Sequence, residues 1–486
     1  PYTGEPVGAP VPHTSAAEVD RLCTAAASAA PELAGVPLTD RAGLLRSIAA
    51  ALDAERHAIV SLGDAETGLG AARLSSELVR TRVQLEMFAA VVAEGGFLDA
   101  VIDLPDPSAL PAPRPDLRRM LVPLGPVAVF SASNFPLAFS VAGGDSASAL
   151  AAGCPVVVKA HPSHPGLSAM CARIVSEALD AAGAPAGTFA VVHGESAGRS
   201  LVEHPAIAAV GFTGSLSGGR ALFDLASSRP DPIPFYGELG SLNPAVVTLG
   251  ALTARGPQVV SGFVGSYTLG TGQFCTKPGL LFLPVGHGLE PLLADAVSSA
   301  AAGPMLNSRI RDGYQRGSSG LAAVPGVREI VAVSPAAPAE GNGYAAAPSL
   351  VAVSAAELRA NPDPLLAECF GPTAVIVEYG SADELVETLA ALPGSLTATL
   401  HADPDSEDAL IRQLLDRFTR GAGRIVWDGW PTGVAVTAAM HHGGPWPATT
   451  APLHTSVGVS AIRRFLRPVV YQNVPDPMLP EALQAA

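Results

Sequence analysis

The sequence predicts an α/β protein with doubly wound parallel sheets, divided into two or three domains. From Val127 onward, short apolar runs alternate with helix-like segments at the spacing of strand–helix–strand units. At 486 residues the chain exceeds one ordinary core, and 48% hydrophobic residues supply buried sheets and helices. Its 50 glycines and 45 prolines are spread along the chain, which indicates many turns rather than one disordered tract.

Residues Ala16 to about Ala100 read as helical, with apolar residues three and four apart in Arg41–His57 and Leu78–Glu94. Five prolines (105, 107, 111, 113, 115) then mark an extended surface connector. Next come a strand at Val127–Phe130, a helix at Gly144–Ala152 and a buried strand at Pro155–Lys159. A helix over Ser168–Ala182, a strand over Thr188–His193, a helix opening at Ala197–Glu203 and a strand at Ala208–Phe212 continue the pattern. After Ser241 a second α/β region carries candidate strands at Leu280–Leu283, Glu329–Val333, Ala374–Val377 and Thr397–Leu400. The Ala/Pro/Gly-rich stretch 334–347 reads as a loop, and Ile462–Tyr471 as a basic helix turning into a strand. There are no internal repeats.

Charge and cysteine content exclude several classes. Asp and Glu number 44 against 29 Lys and Arg, so a net charge of −15 disfavours nucleic acid and anionic membrane as partners. The most apolar stretch, Val127 to Val158, is broken by Asn134, Pro136, Asp145 and glycines, which suits no bilayer span. No basic-then-apolar start suggests a signal peptide. Five cysteines (23, 154, 171, 275, 369) are irregularly spaced, no Cys-x-x-Cys or Cys/His cluster offers a zinc site, and no metal is expected. A reduced, cytoplasmic protein is expected.

Gly272-Gln-Phe-Cys275 places a thiol on a Gly-rich turn, and Gly237-Glu-Leu-Gly240 places a carboxylate among small residues upstream. That pair suits chemistry that traps a carbonyl covalently and then hydrolyses the adduct. A lone cysteine is, however, more often an inert buried side chain. Gly194-Glu-Ser-Ala-Gly198 matches the Gly-x-Ser-x-Gly elbow between a strand and a helix, which gives a rival serine hydrolase with Ser196 as nucleophile and His204, His401 or His442 as base. The same turn would equally open a helix beneath a phosphate. Phe212-Thr-Gly-Ser215, ahead of Gly218-Gly219, can hold a pyrophosphate through backbone amides and a hydroxyl, although such clusters are usually only turns.

Taken together, Ser133-Asn-Phe-Pro136, Val158-Lys159, Phe212-Thr-Gly-Ser215, Glu238-Leu-Gly240, Gly272-Gln-Phe-Cys275 and Glu368-Cys-Phe-Gly-Pro372 stand in the order and approximate spacing of the aldehyde dehydrogenase superfamily. The chain resembles that superfamily over nearly its whole length. The run from Ser131 to Asp145, Val158-Lys-Ala-His-Pro162, His442-Gly-Gly-Pro445 and Arg463-Arg-Phe-Leu-Arg-Pro468 look like its NADP-dependent 2-oxoglutarate semialdehyde (2,5-dioxopentanoate) branch. A bacterial fatty-aldehyde dehydrogenase is similar too.

The resemblance implies the aldehyde dehydrogenase fold, with two doubly wound domains plus a small β-rich oligomerisation arm. It assigns 1–104 and 124–240 to NADP binding, 241–438 to catalysis, and 105–123 with 439–486 to bridging across a homodimer or homotetramer. Cys275 would be the nucleophile, Glu238 (raised in pKa by desolvation between Gly237, Leu239 and Gly240) the general base for hydrolysis, and Asn134 the oxyanion donor. Glu368 would grip the nicotinamide-side ribose with Phe370 beside the ring, and Thr213, Gly214, Ser215 and Gly219 would line the cofactor. NAD-preferring relatives carry a glutamate at the place of Pro162. Its absence, with Lys159, His161 and Arg199 as donors, favours NADP and leaves NAD use open; Arg199 reads equally well as a solvated surface charge. Phe135, Lys277 and His442 would border the small-molecule aldehyde, with His442 ranked below Glu238 as a base. A distal carboxylate would need Arg80, Arg82, Gln84 or Lys277. Thr276-Lys-Pro-Gly279 and His442-Gly-Gly-Pro-Trp-Pro-Ala-Thr449 depart from the usual family pattern, so the same chemistry on an aliphatic aldehyde stays an alternative.

Overall fold

In a computed structural model, residues 2–333, 343–403 and 408–484 are described. Four helices, Ala16–Gly35, Leu38–Ala54, Arg56–Thr67 and Ala71–Glu94, occupy the N-terminal part as expected. The apolar run Arg41–His57 crosses a helix boundary, because Glu55 leaves helical geometry between two of them. The proline segment differs from a straight connector. Asp106 and Arg114 exchange two backbone hydrogen bonds of 2.9 Å, so the prolines close a loop that returns on itself.

Five parallel strands form the first sheet in the order Phe189–Val192, Val156–Lys159, Val127–Phe130, Ala209–Thr213 and Phe235–Glu238. The strand order reverses at Val127–Phe130 and Ala209–Thr213, which opens a crevice beyond their C-terminal ends. These strands are near-continuous apolar runs because helices cover both faces. The last one, ending at Glu238, is short and polar-tipped, and the apolar pattern did not reveal it.

The second sheet has seven strands in the order Arg328–Val331, Ser349–Ser354, Thr373–Tyr379, Leu280–Pro284, Pro244–Val247, Ser395–His401 and Ala422–Trp427. All neighbours are parallel except the first pair. A three-stranded antiparallel sheet joins Val101–Asp103, Leu117–Pro123 and Leu466–Gln472. Its last strand follows a 3-10 helix, Val459–Phe465, so the expected basic helix is a tighter turn. Of the loop expected at 334–347, residues 334–342 lie outside the described residues, while Ala345–Ala346 pairs with Gly303–Pro304. Among the described residues, no helix is long and apolar enough to cross a membrane.

Candidate active site

The thiol sits on a turn held from three sides. Helix Leu249–Thr268 ends in a 3-10 turn, Leu269–Gly272, and the chain then passes Cys275 to enter the strand Leu280–Pro284. Gly272 has φ +66°, and a Cβ there would collide with the Gly371 carbonyl, so only glycine fits. Asn243, fully buried, donates its amide to the carbonyls of Cys275 (2.7 Å) and Lys277 (2.9 Å), while Ser241 Oγ and Thr397 N–H donate to its Oδ1. This clamp was not legible in the sequence, where Ser-Leu-Asn-Pro reads as an ordinary turn.

Glu238 ends its strand beneath the thiol, and His442 arrives from a loop far along the chain. The loop is pinned where His442 N–H donates to Thr455 Oγ1 (2.8 Å) and its carbonyl accepts from Ser456 N–H (3.0 Å). His442 Nε2 stands 2.9 Å from Glu238 Oε1 and 3.6 Å from Cys275 Sγ. Ser456 Oγ donates to the other carboxylate oxygen at 2.5 Å. His442 and Glu238 are both buried, and Cys275 is half-buried at the cleft floor. One ring nitrogen therefore faces both acid and thiol. Among the described residues, buried His442 Nδ1 has no partner.

Burial, followed by the neighbouring charge of Glu238, pushes the Cys275 thiol well above its usual range, against a weaker pull from the Arg80 cation. The thiol is protonated at rest and needs a local base. Glu238 does not follow the sequence-based expectation. Burial alone would raise its pKa, but the His442 ring and the Ser456 and Cys275 hydrogen bonds outweigh burial and lower it. The carboxylate stays ionised at neutral pH.

Asn134 lies on the loop after Val127–Phe130 and donates its side-chain amide to the Gln273 carbonyl at 2.9 Å, two residues before the thiol. Arg73 donates to the Asn134 carbonyl (2.6 Å) and lies 5.1 Å from the ring centres of Phe135 and Phe274. Glu77 accepts from Leu137 N–H (2.8 Å) and Ala138 N–H (2.9 Å), which fixes the same loop from below. Neither Arg73 nor Glu77 carried a motif signal. Phe135, Phe139 and Phe274 form an edge-packed wall, and Phe139 lies 6.4 Å from the His442 ring.

The four residues considered for a distal carboxylate now separate. Lys277, expected at the substrate, is buried and gives its three N–H donors to the carbonyls of Cys369 (2.7 Å), Gly371 (2.9 Å) and Thr373 (2.9 Å). Arg82 pairs with Asp53 at 2.8 Å, and Gln84 is buried against the Ala138 carbonyl. Arg80 spends one nitrogen on the Val434 carbonyl (2.7 Å) and lies 5.5 Å from the Phe139 ring centre. Among the described residues, its Nε and Nη2 have no partner.

At the crevice of the first sheet, Thr213 ends its strand, and Gly214 and Ser215 lead into helix Leu216–Ser227. Ser215 Oγ caps that helix by accepting from Gly218 N–H (3.3 Å). Gly219 packs against Leu239 and Phe212, where a Cβ would collide. Lys159 is half-buried, and among the described residues nothing hydrogen-bonds its ammonium. His161 is held by Ser163 N–H (3.1 Å). Burial, then His164, Lys159 and Arg309, push it well below the usual imidazole range, so it is neutral. Pro162 is exposed. Arg199 is turned to solvent and paired with Glu203 at 3.1 Å. Arg309, unsignalled in sequence, supplies the second positive charge felt by both Lys159 and His161. Glu368 presses its carboxylate against Gly240, where a Cβ would collide with Oε2, and Phe370 is half-buried next to it.

No hydrolase site assembles at Ser196. The serine is exposed, His204 is engaged by Asp20 (3.2 Å) and Ala206, His401 lies 3.7 Å from Asp428, and His442 faces Cys275.

Residues 1–444 match the aldehyde dehydrogenase family. The chain is 49% identical over 490 residues to "Alpha-ketoglutaric semialdehyde dehydrogenase 2" of Azospirillum brasilense, covering 100% of this chain and 92% of that protein. It is 43% identical over 470 residues to "Alpha-ketoglutaric semialdehyde dehydrogenase" of Acinetobacter baylyi, covering 96% and 88%. Among solved structures, 3,6-anhydro-L-galactose dehydrogenase in complex with NAP superposes with a TM-score of 0.81 at 21% identity, covering 94% and 92% of the two chains. Aldehyde dehydrogenase C from Pseudomonas syringae, complexed with NAD+ and octanal, gives 0.78 at 20% identity, covering 95% and 90%. The chain belongs to the aldehyde dehydrogenase family.

Proposed function

We propose that the protein oxidises 2,5-dioxopentanoate to 2-oxoglutarate with NADP as acceptor, through a thioester on Cys275. The observation that carries the mechanism is the convergence of Cys275, His442 and Glu238, with Asn134 anchored beside them. Glu238, which accepts from both the thiol and the His442 ring, draws off the thiol proton and passes it to solvent as Sγ attacks the aldehyde carbon. The oxyanion is received by the second amide hydrogen of Asn134 and the backbone N–H of Cys275, each donor contributing ~3 kcal/mol in the transition state. When bound, the nicotinamide supplies the hydride acceptor. Glu238, ionised and ordered by Ser456, then draws a proton from the water that hydrolyses the thioester.

The names of the two full-length relatives support the substrate, and Arg80 supplies a recognition group for its distal carboxylate. NADP is supported by the free Lys159 ammonium, the Arg309 charge and the lack of a carboxylate at Pro162, with Glu195 partly offsetting Lys159. The free ammonium and the capped helix start at Ser215 fit a dinucleotide. The aromatic wall favours a second reading, in which the same chemistry acts on aliphatic aldehydes. We assign 1–104 and 124–240 to cofactor binding, 241–438 to catalysis, and 105–123 with 439–486 to pairing in a cytoplasmic dimer or tetramer. Val470, exposed on the strand Leu466–Gln472, suits such pairing.

An aldehyde panel assayed with NADP and NAD in parallel tests the assignment. The dioxo acid with NADP should give the highest kcat/KM, and Arg80→Met should lower that value ~10–100-fold while sparing neutral aldehydes. Turnover confined to long aliphatic chains overturns the substrate.

A further inference from the structure

We propose that Glu238, Cys275 and His442 also form an inhibitory site for a thiophilic divalent cation of the zinc class. Their ligand atoms, one oxygen, one sulfur and one nitrogen, all lie within 4.8 Å of one another. They come from a strand end, a turn and a distant loop, which is why sequence spacing shows no metal motif. Tetrahedral zinc with bonds of about 2.3 Å to sulfur and about 2.05 Å to nitrogen sets those two ligands about 3.6 Å apart. The Sγ–Nε2 distance here is 3.6 Å. A nitrogen and a carboxylate oxygen on the same ion stand about 3.4 Å apart, so the 2.9 Å His442–Glu238 contact opens by about half an ångström.

Each ligand is already oriented by a neighbour: Glu238 by Ser456, the His442 backbone by Thr455, and the Cys275 carbonyl by Asn243. A sulfur, nitrogen and oxygen set selects Zn2+ or Co2+ over Mg2+ and Ca2+, which take oxygen ligands. Three protein ligands leave the fourth position to water, the arrangement of an exchangeable rather than a structural site. On binding, the thiol releases its proton to solvent and a sulfur lone pair forms the metal bond. His442 moves its hydrogen to Nδ1 and contributes its Nε2 lone pair, and nothing is oxidised or reduced. The sulfur can then no longer attack a carbonyl. The nearby Arg80 charge opposes the cation and keeps the binding reversible.

Titration of the cofactor-free protein with Co2+ alone reads the site without turnover. One equivalent per chain should give a thiolate-to-cobalt charge-transfer band that Zn2+ displaces and Mg2+ leaves untouched. Cys275→Ser should abolish the band, and His442→Gln and Glu238→Gln should each weaken binding at least ~10-fold. Zn2+ should also shield Cys275 from iodoacetamide until a chelator is added. Absence of the band, or unchanged affinity in both the His442 and Glu238 variants, overturns the proposal. Because neither readout requires activity, its failure leaves the dehydrogenase reading standing.

Discussion

Replacing Glu238 by Gln should make the thiol of Cys275 easier to ionise even as it slows turnover. The interacting atoms lie within 4.8 Å. At an effective dielectric constant between about 20 and 80, a unit charge at that range contributes ~0.9–3.5 kcal/mol, or ~0.6–2.5 pH units. Burial and the carboxylate both hold the thiol's pKa above its ordinary value. In the wild type, thiolate is therefore scarce at neutral pH and grows as pH rises through the alkaline range. In Glu238→Gln burial and the Glu368 charge persist while the nearest negative charge is gone, and the midpoint falls. Iodoacetamide alkylation of the cofactor-free protein, followed at the Cys275 peptide by mass spectrometry from neutral to alkaline pH, reads this directly. Near neutrality the variant should alkylate ~10-fold faster or more. A midpoint that stays in place or moves upward refutes the electrostatic reasoning.

Other outcomes follow from the same geometry. Lys277→Met strands three buried carbonyls and should destabilise the fold by about 3–4 kcal/mol, seen as a lower urea midpoint, while KM of the remaining folded enzyme is unchanged. A raised KM without lost stability would return Lys277 to the substrate. A disulfide reagent should find one accessible thiol in the native state: Cys23, Cys154 and Cys369 are pushed up to about 11 and Cys171 to about 12 by burial, and all four are buried. Two or more fast-reacting thiols would contradict the packing. Gly240→Ala should displace the Glu368 carboxylate and raise the apparent Kd for the cofactor several-fold, measured by fluorescence quenching. Unaltered cofactor affinity would remove Glu368 from that role.

How far the sequence reaches depends on how local the determinant is. Val127–Phe130, Gly144–Ala152 and the other strand–helix units of the first domain were legible because buried parallel strands are continuous apolar runs with turn residues at their ends. Phe235–Glu238 was not, since its four residues end in glycine and glutamate and owe their pairing to Ala209–Thr213. At the site, Cys275, Glu238 and Asn134 were picked out by short motifs, and the fold brings them together. His442 was named at the substrate and ranked below Glu238 as a base; its closeness to Cys275 arises from a loop held by Thr455 and Ser456, which no local pattern shows. Asn243, Ser456, Glu77 and Arg309 act by long-range contacts that leave no local pattern. Lys277 misled for the opposite reason. A lysine beside a nucleophile suggests a ligand, and only tertiary structure reveals three carbonyls waiting for its ammonium. The sign of the Glu238 shift was missed for the same cause, since burial was visible in the flanking glycines and its hydrogen-bond partners were not.

The covalent role of Cys275 is open to a direct measurement: intact-protein and peptide mass spectrometry of Glu238→Gln mixed with 2,5-dioxopentanoate and NADP. With hydrolysis slowed, one acyl group should accumulate per chain, located on the Cys275 peptide, alongside a burst of one equivalent of NADPH. A full burst from Cys275→Ala, or an acyl group carried on any other residue, would contradict it.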